Sequence, residues 1–245
     1  ARCKAPLQWL WQLSLPPGTR LFIYEKCGSQ DGQEQTAGLM SLLGSLEIRV
    51  LRELHEENED VDGVQFMTGE CTAYLKHIQL ALKEQDTADF TIFLHDDAPR
   101  HIRSSLLELA LEAIAAGTYD VPFLHLSHER YPSFRTPCLE DVYQRVFGTP
   151  LQGSLSSYCC SHFVVARERI ESHSVSFYNS LFQLISTAPY AAATGGQCKV
   201  GLKPCYVMEF LWHRVFGEAD ELPGRSEQLT LPLAVRYEGG RTTHM

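Results

Sequence analysis

The chain has 245 residues, with 21 Lys and Arg against 30 Asp and Glu, for a formal net charge of −9. That balance argues against binding along a phosphate backbone, which needs clustered Lys and Arg, so nucleic acid is not an expected partner. Apolar residues make up 44% and charged residues 21%. This is a globular composition, and no apolar run approaches the roughly 18 residues that would span a bilayer.

In chain order, Leu21 to Glu25 reads as a strand closed by Lys26-Cys27-Gly28, and Leu46 to Leu51 as a second one. The acidic run Glu56 to Asp60 reads as a solvated loop. Thr68-Gly69-Glu70 opens a helix with Thr68 as cap, and Cys71, Tyr74, Leu75, Ile78 and Leu82 recur at helical spacing. Phe90 to Leu94 is a short apolar run expected to form a buried, central strand. A helix from His101 to Ala116 should turn Ile102, Leu106, Leu109, Ala110 and Ile114 inward and stop at Gly117. Val121 to Leu126 reads as a strand, Glu140 to Phe147 as a helix stopped by Gly148, and His162 to Ala166 as a strand. One helix is expected over Glu168 to Ile185 and another over Tyr206 to Phe216, ended by Gly217. Leu229 to Tyr237 carries strand signals inside a peripheral tail, residues 218–245. The alternation of strands and helices predicts a single α/β domain over residues 1–245, with a mostly parallel central sheet and helices on both faces.

Chemistry concentrates where the apolar run Phe90 to Leu94 meets His95-Asp96-Asp97. Charges at a strand end belong at a sheet's rim, where open α/β sheets bind ligands. Two adjacent acids there suit a divalent cation, Mn²⁺ or Mg²⁺, and a phosphate-bearing substrate. The same acids would also serve as a simple turn cap before a helix. Glu209 and His213, four apart on the expected helix, share a face and can supply a general base and a metal ligand or proton carrier. An ordinary helix pair fits the spacing equally well. Glu70 and His77 lie two turns apart along one helix, and His125-x-x-His128 ends a strand. No Cys-x-x-Cys pair, serine elbow, phosphate-binding loop ending in Gly-Lys-Ser/Thr or zinc-protease helix is present.

Eight cysteines permit disulfides. Cys159 and Cys160 are adjacent at the start of an expected strand, where neighbouring side chains point to opposite faces. A mutual bridge is therefore disfavoured, and at most one of them should bridge to a distant partner. The start at Ala1-Arg2-Cys3 reads as a fragment or a processed domain. A secretory lumen, or a membrane anchor upstream of this piece, is the favoured compartment, although no Asn-x-Ser/Thr acceptor site occurs.

Five blocks together resemble a family of domains of unknown function (3431), common in fungi and related eukaryotes. They are Tyr24-x-Lys26, Gly69-Glu70-x-x-x-Tyr74-Leu75-x-His77-Ile78, Phe93-Leu94-His95, Cys159-Cys160-x-x-Phe163-Val164-Val165-x-x-x-Arg169-Ile170, and Glu209-x-x-Trp212-His213-x-x-Phe216-Gly217. The resemblance runs over about residues 9 to 217. That family in turn is similar to glycosyltransferases of the GT-A, nucleotide-sugar-binding fold. The likeness implies transfer of a sugar from a nucleotide-sugar donor to an acceptor. Asp96, Asp97 and His213 would hold the cation, Glu209 would be the base, and Tyr24, Lys26, Glu70, His77 and His95 would line the donor site. The motif here reads His95-Asp96-Asp97 rather than Asp-x-Asp. A non-catalytic binding or scaffold protein, or a metal-dependent hydrolase using Asp96, Asp97, His125 and His213, stands as the alternative.

Overall fold

The computed structural model describes residues 7–24, 47–51, 60–61, 64–65, 70–186 and 204–237. The chain divides into two compact units. The first comprises Ala1–Glu56, Leu94–Val121 and Gly224–Met245, and the second Glu57–Phe93 and Pro122–Pro223.

In the first unit, strand β1 (Arg20–Tyr24) pairs in parallel with β2 (Glu47–Leu51), Arg20 opposite Glu47 and Tyr24 opposite Leu51. A tight turn launches β1. Pro17 presets its backbone angle, Gly18 takes φ +77°, and Thr19 N–H donates to Pro16 O at 3.1 Å. Ile23 packs with Leu7 and with Leu10 of the 3-10 turn Gln8–Gln12 that follows Leu7, flanked by Trp9, Leu13 and Leu21. A helix in the same unit, α2 (Ser104–Ala115), buries Leu106, Leu107, Ala110 and Leu111. The apolar stripe is thus rotated from the expected one. Leu109 and Ile114 are only partly covered, and Gly117 stops the helix at φ +68°. The segment with strand signals near the C-terminus is instead helix α8 (Leu233–Tyr237). Pro232 favours this outcome: it fits the first helical turn, and its carbonyl accepts from Arg236 N–H at 3.0 Å.

The second unit is built on a three-stranded sheet ordered β5 (Phe90–Phe93), β9 (Phe163–Ala166), β6 (Phe123–His125). Both pairings are antiparallel, with Phe93 and His125 opposite Phe163 from either side. Two further pairs are also antiparallel, β3 (Asp60–Val61) with β4 (Val64–Gln65), and β7 (Arg130–Phe134) with β8 (Leu155–Tyr158). The expected mostly parallel central sheet, and with it the GT-A-like architecture, is therefore overturned: the fold is mixed α/β with small sheets, and among the described strand pairs β1–β2 alone is parallel. The strands β5 and β6 do point the same way, but β9 returns from the β7–β8 excursion and inserts between them. Sequence order alone does not reveal such an insertion.

The central strand is consequently β9, every residue of which is buried, whereas β5 is a sheet edge with only Phe93 fully covered. Phe163 gathers the core, with ring centroids 5.2 Å from Phe93, 5.4 Å from Phe123, 5.5 Å from Phe216 and 5.6 Å from Trp212. Helix α1 (Cys71–Glu84) buries Cys71, Tyr74, Leu75 and Ile78 as the periodicity predicts, while Leu82 of the same expected stripe is only partly covered, and Tyr74 reaches the same cluster. Its proposed cap Thr68 lies outside the described residues, as do Lys26 and Glu56 to Glu59. Helix α3 (Pro137–Phe147) begins earlier than expected, because Thr136 caps it by accepting from Leu139 N–H at 3.1 Å and Pro137 fits the first turn.

Two expected helices are each broken in two. Between α4 (Arg167–Glu171) and α5 (Val175–Ser186) the Ser172-His173-Ser174 stretch competes for backbone groups. Ser172 Oγ donates to Arg169 O at 2.8 Å, and Ser174 Oγ accepts from Phe177 N–H at 3.3 Å. The other break separates α6 (Pro204–Glu209) from α7 (Trp212–Val215). There Phe210 and Leu211 donate three residues back, to Val207 O and Met208 O. Phe210, Leu211, Trp212 and His213 are all buried, which one stripe of a surface helix cannot achieve.

Candidate functional site

In the first unit, the segment after β5 turns sharply. Ala98 N–H donates to His95 O at 3.1 Å and Arg100 N–H to Asp97 O at 3.0 Å. Trp9 Nε1–H donates to Asp96 O at 3.0 Å and so pins the acid pair's backbone to the N-terminal turn. The His95 imidazole is hydrogen-bonded through Nδ1 to Asp97 Oδ1. On the other side His101 Nε2 stands 3.4 Å from Asp97 Oδ2, and the two imidazole rings are 5.5 Å apart. Asp97 is thus clasped between two histidines. Burial acts to raise its carboxyl, but the His95 and His101 imidazoles outweigh it and hold the group below the ordinary carboxylate value.

Ligand atoms of His95, Asp96 and Asp97 all lie within 4.8 Å of one another, and each residue is partly exposed. Two ligands on opposite sides of one cation stand about 4.2 Å apart for Mg²⁺ and about 5 Å for Ca²⁺, so the grouping is of the right size. The two carboxylates suit Mn²⁺ and Mg²⁺ alike, and the imidazole nitrogen favours the transition metal of the two. A bound cation would have to replace the His95–Asp97 hydrogen bond. His101 is the residue that motif reading missed. Its signal was the four-residue spacing from Asp97, hidden because 98–100 form a 3-10 turn rather than the start of a long helix.

Glu209 and His213 belong to the second unit, and the break at 210–211 removes the uninterrupted helix on which they were expected to share a face. Their environments differ sharply. Glu209 is partly exposed, and its Oε2 accepts from Cys160 N–H at 3.0 Å. His213 is fully buried, and burial pushes its imidazole down to about 4. It is therefore neutral near pH 7, with Nε2–H donating to Asp220 O at 3.3 Å. A polar network holds that carbonyl in place. Asp220 accepts from Tyr143 OH at 2.9 Å and pairs with Arg214 Nε at 3.0 Å, while Asp220 O also accepts from Ser156 N–H of β8 at 3.0 Å.

The turn facing Glu209 contains the largest departure from sequence expectation. Cys159 and Cys160 are joined to each other by a disulfide. The expectation of at most one long-range bridge fails because the pair lies in the β8–β9 turn rather than on a strand. There Cys160 and Ser161 take φ +71° and +50°, which frees the two side chains from opposite-face alternation. Cys71 and Cys138 are disulfide-bonded as well, and no described cysteine is a free thiol.

The remaining candidates scatter. Tyr24 is buried in β1, Glu70 is the partly exposed residue preceding α1, and His77 sits edge-on to Phe93 with centroids 5.9 Å apart. His125 is buried with Nε2 3.3 Å from Ser157 Oγ and its ring 6.3 Å from that of His213, whereas His128 is exposed. No described helix is long and apolar enough to cross a membrane.

No curated protein and no solved structure matches the chain. A family match does exist, and it takes in the Cys159–Cys160 turn, Glu209 and His213 while leaving out His95, Asp96 and Asp97. Residues 123–229 match the family described as "Protein of unknown function (DUF3431)".

Proposed function

We propose that this protein is a divalent-cation-dependent enzyme that transfers a sugar from a nucleotide-sugar donor to an acceptor hydroxyl. The observation that carries the reading is the convergence of His95, Asp96 and Asp97 donor atoms within 4.8 Å on a partly exposed turn. Fold likeness lends no support, since the sheet is antiparallel, so the reading rests on site chemistry. A cation held there would offset charge on a leaving diphosphate. Glu209, in the second unit, is the candidate base on its own setting: it is a partly exposed carboxylate whose orientation the Cys160 amide fixes, as a general base requires. The bonded cysteines fit folding in an oxidising compartment.

A hydrolytic reading is favoured by one feature, the Asp97 carboxylate that orients the His95 imidazole as a general base for water. Both readings are tested by one set of measurements. A thermal-shift screen of nucleoside diphosphate sugars with and without Mn²⁺ should give a rise in melting temperature that requires the metal and is lost in Asp97→Ala. In Glu209→Gln the shift should persist while transfer to acceptor collapses. Equal Mn²⁺ titrations in wild type and Asp97→Ala would remove the cation and the proposal with it. Donor cleavage at an undiminished rate without any acceptor would leave the hydrolytic reading.

A further inference from the structure

We propose that the Cys159–Cys160 disulfide is a reversible thiol–disulfide exchange site whose state sets the position of the Glu209 carboxylate. Three observations converge on it. The bond joins adjacent residues, so it closes a small ring that includes their shared peptide and fixes the backbone of Cys160 directly. Cys160 and Ser161, neither of them glycine, both take left-handed conformations that side chains disfavour. Glu209 Oε2 accepts from the very amide, Cys160 N–H, that the ring immobilises. The turn's flanks are tied independently of the sulfurs, by Cys159 N–H to Glu129 O at 3.0 Å and Leu126 N–H to His162 O at 2.8 Å. Opening the ring therefore acts on the tip, where Glu209 is bound, and leaves the strands β8 and β9 anchored.

The two sulfurs differ in access. Cys159 is buried and Cys160 is partly exposed, so attack falls on Cys160 Sγ. The thiolate of a small thiol, of the glutathione class, forms a mixed disulfide with Cys160 while Cys159 Sγ leaves and takes up a proton. A second thiol then attacks the mixed disulfide, releasing Cys160 as a thiol and the reagent as its own disulfide. The pair gains two electrons and two protons, and the reductant loses them. Without the ring, Cys160 and Ser161 relax toward ordinary φ values, and the amide that Glu209 reads moves away.

That this controls a catalytic base rests on the function proposed above, whereas the exchange site itself does not. The test therefore uses the full chain without substrate. Protein exposed to graded glutathione is alkylated and mapped by mass spectrometry, and hydrogen exchange is followed over residues 156–166. Cys159 and Cys160 should be labelled at a thiol concentration that leaves Cys71 and Cys138 unlabelled, and exchange at the Cys160 amide should then rise at least about tenfold. In the oxidised protein, Glu209→Gln should raise that amide's exchange by a smaller factor. A Cys159→Ser, Cys160→Ser double variant should match the reduced wild type; if it does not fold, the reduced wild type decides. Labelling of the pair only together with Cys71 and Cys138 would overturn the proposal. So would a fully labelled pair with unchanged exchange at Cys160. A positive result in a protein without transferase activity would sink the proposed function and leave the exchange site standing.

Discussion

The buried His213 makes the stability of the second unit depend on pH in a way that is quantifiable. In the folded protein its imidazole is held down to about 4 by burial, against an ordinary value of 6.5. Between those two values the unfolded chain binds a proton that the folded chain refuses, so stability falls as pH drops through this window and is constant above it. Integrating from pH 7.5 to pH 5 gives a loss of about 2 kcal/mol from this one group. The perturbation is His213→Gln, which keeps a donor within reach of Asp220 O and cannot titrate. Urea denaturation of both proteins at pH 7.5, 6 and 5 isolates the group, because every other histidine and carboxylate is common to both. The variant is expected to be the less stable at pH 7.5, and the gap should narrow by about 2 kcal/mol at pH 5. Parallel pH profiles would refute the account, showing that His213 is solvated or protonated in the folded state.

Three other outcomes follow from the same geometry. Phe163→Ala removes the ring at the centre of the Phe93, Phe123, Trp212 and Phe216 cluster and should cost about 3–5 kcal/mol in urea denaturation at pH 7. Thr136→Ala strips the cap of α3 and should cost about 1 kcal/mol, read from the same denaturation curves, with no change in far-ultraviolet helicity outside that element. Asp97, held below its ordinary 3.8 by His95 and His101, stabilises the first unit above that pH, and the stabilisation is lost as pH falls through its folded value. Asp97→Asn should therefore flatten the acid limb of the thermal-stability profile below about pH 4, and an unchanged limb would show that the histidine clasp does not form in solution.

Local signals in the sequence suffice where one principle acts alone. The apolar period of α1, the stops at Gly117 and Gly148 and the strand β9 all follow from side-chain spacing or from a required positive φ. Such signals do not suffice where tertiary packing chooses between two local options. Phe90 to Phe93 has the composition of a buried strand, yet it lies at an edge, because burial on one side by β9 satisfies it. Leu233 to Tyr237 has strand-forming residues but follows Pro232, and a five-residue segment is decided by that one restraint. The helical signals over 168–185 and 206–216 run on too long, for different reasons. The first is broken by the backbone hydrogen bonds of Ser172 and Ser174. The second is apolar on nearly all sides, and such a run can be buried by breaking the helix as well as by enclosing it.

The same ambiguity extends to the site. Spacing made Glu209 and His213 equivalent partners on one face, but the break at Phe210 and Leu211 gives each its own surroundings. His213 becomes a neutral, sealed donor that holds Asp220 and, through it, the edge of β8. Glu209 keeps partial exposure and acquires a partner that spacing arguments cannot supply, the amide of a residue 49 positions earlier. That amide lies in the turn where two adjacent cysteines close on each other. Strand alternation argues against such closure, and only the left-handed backbone at Cys160 and Ser161 reveals it. In sequence, Cys160 and Glu209 stand 49 positions apart within the family-matched segment; in structure the Cys160 amide donates to the Glu209 carboxylate. The orientation of the Glu209 carboxylate is therefore set by the backbone of that turn rather than by a helical neighbour.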